Sequence, residues 1–168
     1  MRPAREKRLP LILSRGEVVT IMKNVRYFRY RACLETIYSL GLRVGEGTRL
    51  KICDMDSARM VVHVRNGKGG KDRYVPLPHR TLKLLREFWL VHRNEEWLFP
   101  RAGRGSHGKY DTDNPINEPM SIAVIQMAFK DALVASGIRK KACVHSLRHS
   151  YATLLVEAGV KLRQIQIN

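Results

Sequence analysis

A chain of 168 residues and 19.3 kDa has room for one ordinary domain and little more. Its 31 Lys and Arg against 15 Asp and Glu leave a formal net charge of +16, on 44% hydrophobic and 27% charged residues, a globular rather than disordered composition. Self-repulsion of that size is relieved when a polyanion lies against the surface, which points to nucleic acid and away from a purely small-molecule enzyme.

The cysteines Cys33, Cys53 and Cys143 are odd in number, sit in apolar stretches and show no metal spacing. They read as buried small hydrophobes of a reducing compartment. Apolar runs of only a few residues exclude a transmembrane helix, and residues 1–8 carry charge with no apolar stretch behind it, unlike a secretory signal. Cytoplasmic residence with no membrane partner is the expectation.

In chain order, residues 1–12 read as a basic linker or arm and 13–168 as one domain. Ser14 and Glu17 form a capping box, with Leu13 and Val18 as the hydrophobic staple, so a helix opens there. A second helix is predicted from about Arg26 to Leu40, with Cys33, Ile37 and Leu40 on one face and Gly41 as its stop. A short helical piece follows Arg43 and ends near Leu50. The period then changes: Met60, Val62 and Val64 alternate with Val61, His63 and Arg65, and Arg73-Tyr74-Val75-Pro76-Leu77 follows a glycine-rich turn. That is a β-hairpin whose second strand, holding Pro76, is short or at an edge. Leu82, Leu85, Phe88 and Trp89 mark another helix, and residues 101–119 a loop. Ser121 is placed to cap a helix that carries Ile122, Ile125, Phe129 and Leu133 and stops at Gly137. A helix from about His145 to Gly159 and a last one from about Lys161 complete a mainly α chain with a small antiparallel β-sheet, an α+β fold.

Three segments bear chemistry. In His145-Ser146-Leu147-Arg148-His149, at about 100° per residue, His145, Arg148 and His149 share a face at a helix start. Leu147, Tyr151, Leu154, Leu155 and Ala158 take the core side. Two imidazoles and a guanidinium at the positive end of a helix suit a phosphate. A zinc-protease reading fails because Ser146 stands where the glutamate base belongs and no third ligand is evident. For an isolated pair, one surface and one core histidine is the plainer alternative. In Gly41-Leu42-Arg43-Val44-Gly45-Glu46, a tight turn holds Arg43 and Glu46 is close enough to orient it. In the hairpin tip, Gly67, Gly69 and Gly70 permit close approach to another backbone and leave Lys68 and Lys71 on a flexible arm. The tip is not a phosphate-binding P-loop: Asp72 replaces the Ser/Thr, no glycine stands at 65 and a strand follows. Taken singly, Arg43 and the tip are equally well read as solvated basic surface.

The three in order resemble the catalytic domain of the tyrosine recombinases, the integrases of phages, integrons and transposons. The matching stretches are Gly41-Leu42-Arg43-Val44-Gly45-Glu46 with Leu50 and Asp54 downstream, Gly67-Lys68-Gly69-Gly70-Lys71-Asp72-Arg73-Tyr74-Val75-Pro76-Leu77, and His145-Ser146-Leu147-Arg148-His149-Ser150-Tyr151-Ala152-Thr153. The similarity runs from about Leu9 onward and includes Trp97-Leu98-Phe99-Pro100.

The resemblance implies a site-specific recombinase that cuts and rejoins double-stranded DNA through a 3′-phosphotyrosyl intermediate, without metal or other cofactor. It assigns Arg43 and Arg148 to the scissile phosphate, Lys68 to the leaving 5′ oxygen and His145 to acid–base help. Glu46 and His149 are supporting residues, and Lys71 and Arg73 are placed against DNA. It also implies a homotetramer on DNA, working in the bacterial nucleoid. The family's nucleophilic tyrosine follows the second arginine by a further helix. None of Tyr27, Tyr30, Tyr38, Tyr74, Tyr110 and Tyr151 matches it, so the nucleophile and the family's core-binding domain are expected to lie outside the sequence, leaving these residues alone inactive and monomeric. A non-catalytic DNA-binding module derived from a recombinase is the alternative. A basic RNA-binding protein is less consistent, since it gives no reason for this residue order and no aromatic stacking motif is present.

Overall fold

The computed structural model describes residues 10–65, 70–103 and 116–160. Within them the elements run α1 (Arg15–Lys23), α2 (Phe28–Leu40), α3 (Val44–Thr48), a 3-10 turn (Ile52–Asp54), β1 (Met55–Asp56), β2 (Val61–Val64), β3 (Arg73–Pro76), α4 (His79–His92), α5 (Ile122–Ala135) and α6 (Val144–Glu157). The final helix expected from about Lys161 lies outside the described residues.

Local signals set several of the ends. The Ser14 hydroxyl accepts from the Glu17 N–H at 3.2 Å and the Glu17 carboxylate accepts from the Ser14 N–H at 2.8 Å, a complete capping box. Leu13 and Val18 are both buried. Gly41 ends α2 in the left-handed region, φ 61°, where a side chain is costly. Ser121 does stand at the N-cap of α5, but its side chain makes no cap hydrogen bond.

Helix α2 is the axis of the packing: α1, α3, α4, α5 and α6 all contact it. Ala32, Cys33, Leu34, Thr36, Ile37 and Leu40 are buried, which spans far more of its circumference than the single stripe the sequence periodicity indicates. The reason is geometric, since a helix enclosed by several neighbours has no solvent face to keep polar. The buried Thr36 hydroxyl is satisfied by the Ala32 carbonyl at 2.7 Å.

Beside the helices lies a sheet of order β1-β2-β3, antiparallel throughout. Val62 pairs with Val75 and His63 with Tyr74. Pro76 falls on an edge strand, as its missing N–H requires. Alternation sends Val62, Val64 and Val75 into the core and leaves the paired His63 and Tyr74 on the other face. The two-residue β1 carries too few positions for a period and went unread in the sequence.

Three sequence readings need correction. Cys33 is buried, but Cys53 and Cys143 are exposed, because each sits in a connection at a helix or turn start and not on a packed face. In α6, Leu147 is fully buried, yet Leu154 and Leu155 are only half-buried and Ala158 is exposed; periodicity gives a face, and only neighbours cover it.

Gly41 is constrained twice over. Besides its positive φ, a Cβ there would lie 2.3 Å from Tyr151 Cδ1. Gly41→Ala is therefore expected to cost about 2 kcal/mol or more, from left-handed strain plus overpacking. Gly137→Ala, with φ 72° but nothing within 4 Å of the added carbon, should cost only about 1 kcal/mol. Thermal midpoints of the two variants check the difference.

Candidate active site

Glu46 sits in the first turn of α3, and its carboxylate turns back to accept the backbone N–H of Arg43 at 2.7 Å. The same carboxylate takes Arg43 Nη1 at 2.9 Å and both ends of the Arg73 guanidinium, Nη1 at 2.9 Å and Nη2 at 3.0 Å. Arg148 Nη1 lies 4.0 Å from its Oε2. The Glu46 side chain is only 8% exposed. Burial alone would raise its pKa, but the hydrogen bonds from Arg73 and the Arg43 backbone overcome that and push it down to about 2. It is an anion throughout the physiological range, ringed by three guanidinium groups.

Arg148 arrives from α6, 105 positions after Arg43, and is fixed by donating from Nη1 to the Gly41 carbonyl at the C-terminal end of α2, where the helix dipole favours a cation. Burial first, then the neighbouring Arg43 charge, lowers its pKa from an ordinary guanidinium value; a guanidinium keeps its proton regardless. His145 and His149 are one turn apart on the same helix, rings edge to face with centroids 4.7 Å apart. Partial burial lowers the His145 pKa, and the positive surroundings of His149, Arg148 and Arg43 lower it further.

The structure thus brings Arg43, Glu46, His145, His149 and Arg148 to one place, although they come from two regions about a hundred residues apart. Lys68 lies outside the described residues. Lys71 is exposed. Arg73 differs from its expected exposure to DNA. Its side chain is 11% exposed and bidentate to Glu46, so it anchors that carboxylate. The alternation along β3 could have shown this, since Arg73 and Val75 share a period-two relation. Tyr151 packs on Gly41, and burial raises its pKa.

A depression of about 770 Å³ opens beside these groups, lined by Arg43, Glu46 and His145 and on its far wall by Arg49, Lys51, Arg65 and Trp97. The far wall went unnoticed in the sequence. Its position depends on segment 96–98 running along 50–52: Ile52 N–H donates to the Glu96 carbonyl at 2.9 Å and Leu98 N–H to the Leu50 carbonyl at 3.0 Å. The buried Asn94 side chain accepts from the Glu96 and Trp97 N–H groups and so turns the chain into that register. Among the described residues no group of three or more His, Cys, Asp or Glu side chains could hold a metal ion, and no helix is long and apolar enough to cross a membrane.

Comparison with known proteins agrees with this arrangement. The phage integrase family model matches residues 12–167, and the chain belongs to that family, the tyrosine recombinases. The protein y4qK of Sinorhizobium fredii (strain NBRC 101917 / NGR234) is 40% identical over 165 residues, covering 98% of this chain and 50% of the relative. An integrase/recombinase of Escherichia coli is 32% identical over 194 residues, covering 98% and 57%. The crystal structure of XerA recombinase superposes with a TM-score of 0.76 at 28% identity, covering 99% of this chain and 56% of the other. The mainly helical fold with its small antiparallel sheet is that of the recombinase catalytic domain, and the chain spans about half the length of the relatives it matches.

The depressed Glu46 pKa has a consequence for stability. A carboxylate held below its ordinary 4.5 contributes stability that is complete above that value and is lost as pH falls through about 2. Wild type should therefore exceed Glu46→Gln by on the order of 2 kcal/mol at pH 7. The gap should narrow progressively between about pH 5 and pH 2, as measured by denaturant unfolding at a series of pH values.

Proposed function

We propose that this domain activates one DNA phosphodiester for attack by a tyrosine, as the chemical core of a site-specific recombinase. The observation that carries the reading is the convergence of Arg43, Arg148 and His145 around a single buried carboxylate. Three guanidinium groups on one carboxylate leave a net positive site, and one phosphodiester anion is the ligand of matching charge and shape.

In this reaction a tyrosine hydroxyl oxygen forms a bond to the scissile phosphorus, and the bond from phosphorus to the 5′ oxygen breaks. The product is a 3′-phosphotyrosyl ester and a free 5′ hydroxyl. Arg43 and Arg148 bind the non-bridging oxygens and stabilise the extra charge of the five-coordinate transition state. His145 binds the phosphate and accepts or returns a proton. Lys68 protonates the departing 5′ oxygen. The covalent ester conserves the bond energy, so the reverse attack by a 5′ hydroxyl of the partner strand rejoins DNA without an external energy source. Glu46 and His149 position these groups, Lys71 meets the backbone of double-stranded DNA, and the complete protein acts as a homotetramer on its target in the bacterial cytoplasm. The attacking tyrosine comes from protein outside these 168 residues, which alone are inactive and monomeric.

Two experiments on the full-length protein test the assignment. Arg148→Ala should abolish the covalent adduct on a nicked suicide substrate while most duplex binding survives; an adduct formed at the unmodified rate would remove the clamp. If the unsubstituted full-length protein binds duplex but forms no adduct at all, the non-catalytic DNA-binding module is the correct reading. Lys68→Ala should slow cleavage severely with a normal 5′ oxygen and far less with a 5′ sulfur, which leaves without a proton. Equal losses on both substrates would refute the general-acid role.

A further inference from the structure

The depression beside Arg43 and His145 extends well past them, and its far wall has its own chemistry. Arg49, Lys51, Arg65 and Trp97 also line it. Both carboxylates on its lining are already engaged: Glu46 by Arg43 and Arg73, and the buried Asp54 by Arg65 Nε at 2.6 Å and the Lys51 backbone N–H at 2.9 Å. Lys51 is steadied by Glu96 at 2.8 Å and rests over the Trp97 ring, its Nζ 4.9 Å from the centroid. Arg49 is exposed and its guanidinium makes no hydrogen bond or ion pair to the described residues.

Arg43 and Arg49 flank α3 as its N-cap and C-cap. At about 1.5 Å of rise per residue their Cα atoms stand about 9 Å apart along the helix. Phosphates recur regularly along each DNA strand, so two arginines at the ends of so short a helix can reach separate phosphates of one strand. Both line one continuous depression.

We propose that the wall is a second anion subsite, which binds the sugar–phosphate backbone flanking the scissile phosphodiester, with Arg49 as its principal contact. Lys51 and Arg65, held by Glu96 and Asp54, give the wall its field, and the Trp97 face supports the Lys51 stem. The subsite rests on the reading of Arg43 as a phosphate ligand. It gives Arg49 no part in bond breaking, so its substitution changes DNA affinity and register but not the chemistry at a correctly bound phosphate.

The test uses the full-length protein and duplex DNA over a range of salt. Log affinity against log salt should have a slope of roughly −4 or beyond if five or more phosphates are neutralised. Arg49→Ala should make that slope shallower by about 1, Arg49→Lys should restore it, and Lys130→Ala, on the exposed side of α5, should leave it unchanged. An unchanged slope for Arg49→Ala, or an equal change for Lys130→Ala, overturns the proposal. A second measurement locates the contact: once the cleavage point is mapped, single neutral methylphosphonates are placed at the phosphates flanking it. The affinity loss of Arg49→Ala should vanish at one of these positions, and a loss that persists at all of them also overturns the subsite. An Arg148→Ala protein that still forms adduct normally would sink the clamp reading instead, whatever Arg49 does.

Discussion

One buried carboxylate organises the candidate site. Glu46 accepts hydrogen bonds from the backbone and side chain of Arg43 and from both ends of Arg73, with Arg148 4.0 Å away. Without it, three guanidinium groups would be held together against their mutual repulsion in a partly desolvated space, which a protein does not tolerate. With it, they are fixed before any ligand arrives, and the site keeps a surplus of positive charge. Donors that need no reorganisation when a phosphate's charge grows are the main source of electrostatic catalysis. Glu46 is thus a structural anchor and, by placing Arg43 and Arg148, a positioning residue for the proposed reaction.

That arrangement requires two distant segments to meet, and Gly41 is where they do. Its positive φ ends α2 and releases the chain into the turn that carries Arg43. Its carbonyl receives Arg148 from α6, and its missing side chain makes room for the Tyr151 ring. The geometry of one residue therefore sets the spacing between the two arginines. On the opposite side, the pairing of 96–98 with 50–52 places Trp97 beside Lys51 and closes the depression. The two halves share α3, whose first and last turns are capped by Arg43 and Arg49.

Much of this was legible before the fold was known, and what was missed has a common cause. The capping box at Ser14, the stop at Gly41, the hairpin and the shared face of His145, Arg148 and His149 all depend on contacts within a few residues, which the linear order displays. Arg73, Cys53, Cys143 and the far side of α2 were misread because their environments are made by elements remote in sequence. An arginine in a basic hairpin looks like a DNA contact until a carboxylate 27 positions earlier is seen to hold both its ends. The cation wall had no linear signal, since Arg49, Lys51, Arg65 and Trp97 form no motif.

Sequence alone determined the charge, the helical character with one hairpin, and the candidate phosphate-binding residue types in an order that resembles the recombinases. Those properties follow from composition, short-range hydrogen bonding and periodicity. Tertiary structure decided that Arg73 is spent on Glu46 while Arg43 also lines the depression, that burial and neighbouring cations lower the His145 pKa, and that a second group of cations continues the first. Each of these depends on distance and burial between segments separated along the chain, and neither quantity exists until the helices have packed.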